Sequence, residues 1–477
     1  MRQATVRLGV EVARKWQVLT VASAGAFMGF LDVTIVNIAF PDIQGDFSGT
    51  SLGELSWILN AYAIVFAALL VPAGRIADRI GRRRAFVIGL VVFAVASALC
   101  AAAPSPELLV AARVIQAGGA AFLVPTSLAL LLPAFPLAQR ATAVGLWGAT
   151  GAVAAATGPS LGGVLVDAGG WRWVFLVNVP LAAITVVAAF RVLDESREPD
   201  PTGRPDLAGA IMVMLGIGAL ALALVKGNEW GWGDARTVGA FALAAVLVPA
   251  VVWRSRRVAA PIVEPALLRV RAFAVANVAT VLFAASFYAM LLGNILFLTQ
   301  VWGYDVLDAG LAVTPGPLMA AVFAGPAGAL ADRFGQRAVA VPGALVYSAA
   351  FGWYLAHVGV EALYARDLLP GMLAGGAGVG LTFPTLSSAA AAALPPARFA
   401  TGSAVLGMTR QVGAVLGIAL LVVVLGTPDP SDPVGAFDDA WALMLGGGLA
   451  TAVAAAALGR VRARTPAPAT AAAEVPA

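Results

Sequence analysis

Charge is scarce in this chain. Of its 477 residues only 12% are Asp, Glu, Lys or Arg, and 60% are hydrophobic. Soluble domains carry roughly 25% charged residues. Histidine and cysteine are scarcer still, with one of each, His357 and Cys100. A single cysteine rules out an internal disulfide. Hydrolysis or acyl transfer usually needs a paired acid, a base or metal ligands. Acids within the apolar runs are too few for that, so no enzyme, no metal and no cofactor is expected. No stretch is polar enough for a large soluble domain, which argues against a receptor. Lysine is limited to Lys15 and Lys226 among 30 basic residues.

What the chain has in quantity is long apolar runs. About 20 apolar residues cross a bilayer, and fourteen such runs can be marked, from 16–40 to 440–458. The chain is expected to be an all-α polytopic membrane protein. Basic residues crowd into alternate loops. With the N-terminus inside, the inner loops hold Arg79, Arg82, Arg83, Arg84, Arg140, Arg191, Arg254, Arg333 and Arg337, among others. The outer loops hold Asp42, Asp46, Glu107, Asp305, Asp308, Asp429, Asp432 and few cations. This is the positive-inside pattern. It places both termini in the cytoplasm and the protein in the cell membrane. The net charge of +4 is a topology signal and gives no reason to expect nucleic acid.

The chain also repeats itself. VPAGRIADRIGRRR at 71–84 returns as GPAGALADRFGQR at 325–337, with Asp78 and Asp332 standing 254 residues apart. Repeats of this kind mark related halves. Pro125 and Thr126 return as Pro384 and Thr385. Setting aside an inserted pair of spans at 207–225 and 238–253 leaves six spans per half. The expected division is 1–193 for the first six-span bundle. Residues 194–271 form a linker, the inserted spans and a basic loop. Residues 272–460 form the second six-span bundle, and 461–477 a disordered tail. Two such bundles around a central cavity are the plan of the major facilitator fold. The inserted pair is expected to be peripheral.

Several motifs carry more specific chemistry. In the repeat, Gly74 permits close helix approach. Asp78 sits where one helix ends and the next begins. There an acid can accept from a helix N-terminus and pair with arginines such as Arg79 and Arg82 beyond Gly81. Arginines alone would serve topology, but topology does not need the order Asp332-Arg333-x-Gly335 repeated. Gly74–Arg84 resembles the loop motif of the major facilitator superfamily. FLDVTIVNIAFP at 30–41 resembles the first-span signature of its fourteen-span drug:proton antiporter family. RVIQAG at 113–118 resembles the superfamily's fourth-span motif, whose arginine is implicated in proton coupling. Gly158, Pro159, Gly162 and Gly163, in GPSLGG, resemble the fifth-span antiporter motif. WRWVFLVNVP at 171–180 resembles the entry to the sixth span.

The resemblance implies a proton-coupled efflux antiporter working by alternating access. It would export amphipathic or hydrophobic small molecules, drugs and organic cations, driven by the proton gradient, as a monomer in membrane lipid. A proton-coupled importer on the same fold is the alternative.

The residues themselves agree in part. Asp32 is the acid deepest in a span, roughly 13 Å from its outer end at 1.5 Å per residue. Buried acids in membranes are costly and mark function by default. Arg113 lies roughly 9 Å inside the same boundary. The two could pair if their helices are neighbours, and a bound proton would break that pair. A permanent structural salt bridge is the competing account. Asn37, Asn60, Tyr62, Gln116, Asn294 and Arg410 are candidate cavity-lining residues, with interhelical hydrogen bonds as their alternative fate. Trp57, Trp147, Phe287 and Tyr288 are candidates for stacking on aromatic drugs.

Overall fold

The computed structural model describes residues 2–136, 139–198, 204–395, 398–426 and 431–459, with side chains from Arg14 onward except at 141, 399 and 400. The expected tail, Asp429, Arg460, Arg462 and Arg464 lie outside these residues. Every described element is helical. The first group comprises α1 (Arg2–Asp46), α2 (Leu52–Ile80), α3 (Arg82–Ala101), α4 (Pro106–Ala134), α5 (Arg140–Gly169), α6 (Arg172–Leu176) and α7 (Asn178–Val192). Then come α8 (Leu207–Trp230), α9 (Ala235–Ser255) and the short α10 (Pro265–Leu268). The last group comprises α11 (Arg271–Gln300), α12 (Val306–Val313), α13 (Pro315–Phe334), α14 (Gln336–His357), α15 (Leu369–Ala392), α16 (Phe399–Leu425) and α17 (Gly435–Ala456).

Among the described residues, thirteen helical segments are long and apolar enough to cross a membrane, with α6 and α7 counted as one and α12 and α13 as one. The segment expected as the twelfth span, now α15, is 24 residues long but not among them. Glycine is why its apolar signal is weak. Gly376 backs onto the carbonyl of Gly316, and a Cβ on Gly378 would stand 2.6 Å from Tyr347 N. Small residues let α15 press directly against α13 and α14, the kind of approach that drives helix association in lipid.

The ends of the helices are written locally. Ser51 and Glu54 form a reciprocal capping box on α2, and Ser105, Asp206 and Asp305 cap α4, α8 and α12. The two repeat copies end alike. Gly81 has φ +108° and Gly335 φ +90°, a region open to glycine at no steric cost. Each glycine turns the chain from one helix directly into the next. The repeated glycine is therefore a backbone requirement met twice.

Helices α1–α7 pack on one another, with α4 central against α1, α2 and α3. Helices α11–α17 form a second set, in which α11 packs on α16 and α17, and α15 on α13 and α14. The sets meet where α2 lies along α16, α1 along α11, and α5 along α12 and α13. The inserted α8 packs on α9 but also on both α2 and α16. Lys226 reaches Glu54 at 3.1 Å and Asn228 donates to Val423 O at 2.8 Å. Of the inserted pair, α9 packs on α8, and α8 touches both sets.

Candidate functional site

The end of the molecule bearing Asp78 and Arg82 is called the basic side below, and the end bearing Asp46, Glu54 and Asp305 the acidic side. Between them, inside the first helix set, lies a cluster of polar side chains fully out of contact with solvent. Asp32 on α1 is 0% exposed and Arg113 on α4 is 1% exposed. Arg113 Nη1 donates to Asp32 Oδ2 at 2.5 Å and to Gln116 Oε1 at 2.6 Å. Its Nε donates to the carbonyl of Ile58 at 3.1 Å. Gln116, one turn along α4, donates from Nε2 to Asp32 Oδ1 at 2.8 Å and to Ser97 Oγ at 2.9 Å. The guanidinium lies 4.1 Å from the centroid of the Tyr62 ring. A buried pair survives desolvation only when its remaining lone pairs and protons are satisfied, and here four helices supply the partners.

The cavity is elsewhere. It has a volume of about 850 Å³ and lies between α1, α5, α11, α13, α14, α15 and α16. Its wall is apolar, with Phe30, Trp147, Phe287 and Phe383 among its rings. Of the candidate lining residues, Asn37, Asn294 and Arg410 belong to the wall. Asn60, Tyr62 and Gln116 do not; each is buried in the first helix set. Nor does Asp32 reach the cavity. Trp57 and Tyr288 are likewise absent from the wall. Asp32 therefore faces α4, and among the described residues the one charge on the cavity wall is the Arg410 guanidinium.

One helix joins the two features. On α1, Asp32 turns toward α4 while Phe30, Thr34 and Asn37 turn into the cavity. The α5 glycines set how closely α1 can approach. A Cβ on Gly158 would collide with Thr34, and one on Gly162 would stand 3.0 Å from Ile35. Gly163 instead faces the second set, where a Cβ would lie 3.0 Å from Leu307 Cα. Gly310 on α12 returns the contact, with Pro159 O 2.6 Å from its Cβ position. Nearby, Gln300 Nε2 meets Gln44 Oε1 at 3.2 Å. These contacts join the sets at the acidic side. The cavity wall runs along α5 to Gly145 and along α15 to Ser387, toward the basic ends.

The loop motif meets its own helix set and the segments that follow it, with Arg75 Nη2 donating to Pro261 O at 3.3 Å. Asp78 Oδ1 accepts from Arg82 Nε at 2.8 Å. The acid at the N-terminus of α3 is not Asp78 but Glu195, whose carboxylate accepts from Arg83 N at 3.1 Å and Arg84 N at 3.2 Å. Residues 195–198 run alongside, with Arg82 N bonded to Ser196 O and Glu198 N to Asp78 O. The glycine at 81 leaves room for this, since a Cβ there would stand 2.5 Å from Glu195. Gly74 packs on Pro125, with 3.6 Å from its Cβ position. In the second copy, Arg333 lies 5.1 Å from the Phe334 ring, and no ion pair to Asp332 occurs among the described residues. Glu195 lies 112 residues from Arg83, and only the return of the chain after α7 brings it there.

Comparison with known proteins fits this architecture. The chain is 35% identical over 416 residues to the multidrug resistance protein Stp of Mycobacterium tuberculosis, covering 86% of this chain and 76% of that one. It is 33% identical to the methylenomycin A resistance protein of Bacillus subtilis, over 86% and 87% of the two chains. It is 32% identical to the tetracenomycin C resistance and export protein of Streptomyces glaucescens, over 90% and 78%. Among solved structures, a D-xylose-proton symporter superposes with a TM-score of 0.68 at 13% identity, covering 94% of this chain and 99% of that one. The model of the Major Facilitator Superfamily matches residues 22–418 and 276–476. The chain belongs to the Major Facilitator Superfamily of transporters.

Proposed function

We propose that this transporter is a fourteen-span antiporter that exports amphipathic small molecules in exchange for protons. The observation that carries the reading is the sharing of α1 between an apolar cavity of about 850 Å³ and a buried Asp32–Arg113 pair. On this reading α15 is the fourteenth span, buried by its neighbours rather than by lipid. The basic side is cytoplasmic, so the cavity faces inward. Each molecule works alone.

On this reading α1 carries the coupling. With Asp32 ionised, the pair holds α1 against α4. A proton on Asp32 removes the charge that Arg113 and Gln116 are arranged to meet, and the contact loosens. Because Thr34 and Asn37 stand on the same helix, a shift of α1 also changes the cavity wall. Gly163 and Gly310 allow the acidic ends to part and close again. When the basic ends close, the loop around Asp78 and Arg82 comes toward the second half and can serve as a latch. Ligands that affect only one of these states shift the population by their differential affinity.

The importer alternative expects a wall with more polar groups than Asn37, Asn294, Arg410 and a few hydroxyls. Proteoliposomes loaded with a pH-sensitive dye test the two. Under an imposed proton gradient, ethidium and neutral aromatic probes are added in turn, to wild type and to Asp32→Asn. Proton flux that starts with a probe and disappears in the variant supports antiport. Flux that ignores every hydrophobic probe and follows a polar solute would establish the importer.

A further inference from the structure

Arg410 stands alone in the cavity. Among the described residues it is the only charged one of the wall. No Asp or Glu oxygen lies within 4.0 Å of it among the described residues, whereas the other deep arginine, Arg113, has Asp32. Its Nε is buried without a hydrogen-bond partner. Its guanidinium rests 4.3 Å from the centroid of the Phe383 ring. That ring is itself held edge-on by Phe287 at 5.2 Å and by Phe283 at 4.8 Å. The cation is thus fixed on one face by an aromatic cluster and has no counter-ion.

A charge inside a membrane protein normally pairs, or marks a ligand path. Guanidinium offers a rigid fork that matches carboxylate, sulfonate and phosphate oxygens, and such bonds are stronger than neutral ones. The rest of the wall is mostly apolar and aromatic, with Asn37 and Asn294 among its few polar groups. We propose that the cavity selects amphipathic molecules that carry an acidic group, with the acid on Arg410 and the aromatic body against Phe287 and Trp147. This rests on the export reading and narrows its substrate class. Organic cations are disfavoured, because the wall presents them with a like charge and no acid.

The test is binding to the purified full-length protein in nanodiscs, corrected for empty discs. Three probes of similar aromatic bulk are titrated: anilinonaphthalene sulfonate, neutral phenylnaphthylamine and cationic ethidium. The sulfonate should bind on the order of tenfold more tightly than the neutral probe, as expected for a charge-assisted contact. Arg410→Gln should bring the sulfonate down to the neutral probe while leaving the neutral probe unchanged. Arg410→Lys should restore part of the difference. Asn294→Asp, which adds an anion to the same wall, should weaken the sulfonate and strengthen ethidium; this holds the test open if Arg410→Gln does not fold. Equal binding of sulfonate and neutral probe in the wild type overturns the inference and leaves export standing. So does equal weakening of all three probes by Arg410→Gln, the mark of a packing role. Saturable binding of none of them removes the export reading and this inference together.

Discussion

Gln116 Nε2 donates to Asp32 Oδ1 at 2.8 Å, on the carboxylate oxygen that Arg113 leaves free. The amide therefore completes the carboxylate's bonding on one side and accepts from Arg113 on the other. Replacing Gln116 by Leu strands one oxygen and removes an acceptor from a buried cation. Such losses cost about 1–3 kcal/mol per unsatisfied group. Gln116→Leu should lower the thermal midpoint in nanodiscs and reduce probe-driven proton flux, with the protein still inserted. An unchanged midpoint would mean the cluster is wetter than its burial implies.

The ion pair makes a sharper prediction through a double-mutant cycle. Removing one partner of a buried pair leaves an uncompensated charge and costs about 3–5 kcal/mol. Removing both in favour of apolar groups is often far milder. Asp32→Leu and Arg113→Leu should each destabilise strongly, and the double variant less than either. All three should lose proton coupling. Additive losses would sever stability from the pairing, and retained coupling in Asp32→Asn would move the proton site elsewhere.

At the acidic side the contact between Gln44 and Gln300 can be made covalent. Gln44→Cys and Gln300→Cys together should crosslink readily with a short bifunctional thiol reagent, and crosslinking should stop transport until a cleavable linker is cut. The native Cys100 is buried and should not compete. Gly310→Val, which pushes into Pro159 O, should lower the crosslinking yield. Gly325 has nothing within 4 Å of a Cβ position, and Gly325→Ala should leave the yield within error of the parent pair.

Glu195 predicts a stability effect far from the cavity. Loss of a side-chain cap costs about 1 kcal/mol, and an anion near a helix N-terminus contributes in the same direction. Glu195→Ala should lower the thermal midpoint modestly, Glu195→Gln by less, and both by less as salt rises. Asp78→Ala should not reproduce this pattern, because Asp78 meets Arg82 and not the α3 amides.

Much of this was readable before any coordinates. The repeated Asp-Arg-x-Gly marks two related halves, and the structure adds that Gly81 and Gly335 have matching positive φ. Asp32 and Arg113 were placed at like depth by counting residues, and they are in contact. What periodicity could not say was which polar face turns to a cavity and which to a neighbouring helix. Asn60, Tyr62 and Gln116 look like Asn37 and Asn294 in sequence, yet they point into the first helix set. The part played by Glu195 was hidden for a different reason, since sequence separation of 112 residues carries no local signal. The weak hydropathy of α15 reflects its glycines, and the breaks at Val177 and Thr314 divide two spans that read as continuous.

The place of α8 makes the two seams between the halves unlike. Two long seams run between the halves, one along α2 and α16, the other along α5 and α13. The inserted α8 lies across the first like a gasket. Among the described residues no inserted helix packs in this way on the second, and α5 carries Gly145 and Gly148 of the cavity wall. The two sides of the fold are therefore unlike: α8 braces one seam between the halves from outside, and the other is held by the contacts of α5 with α12 and α13.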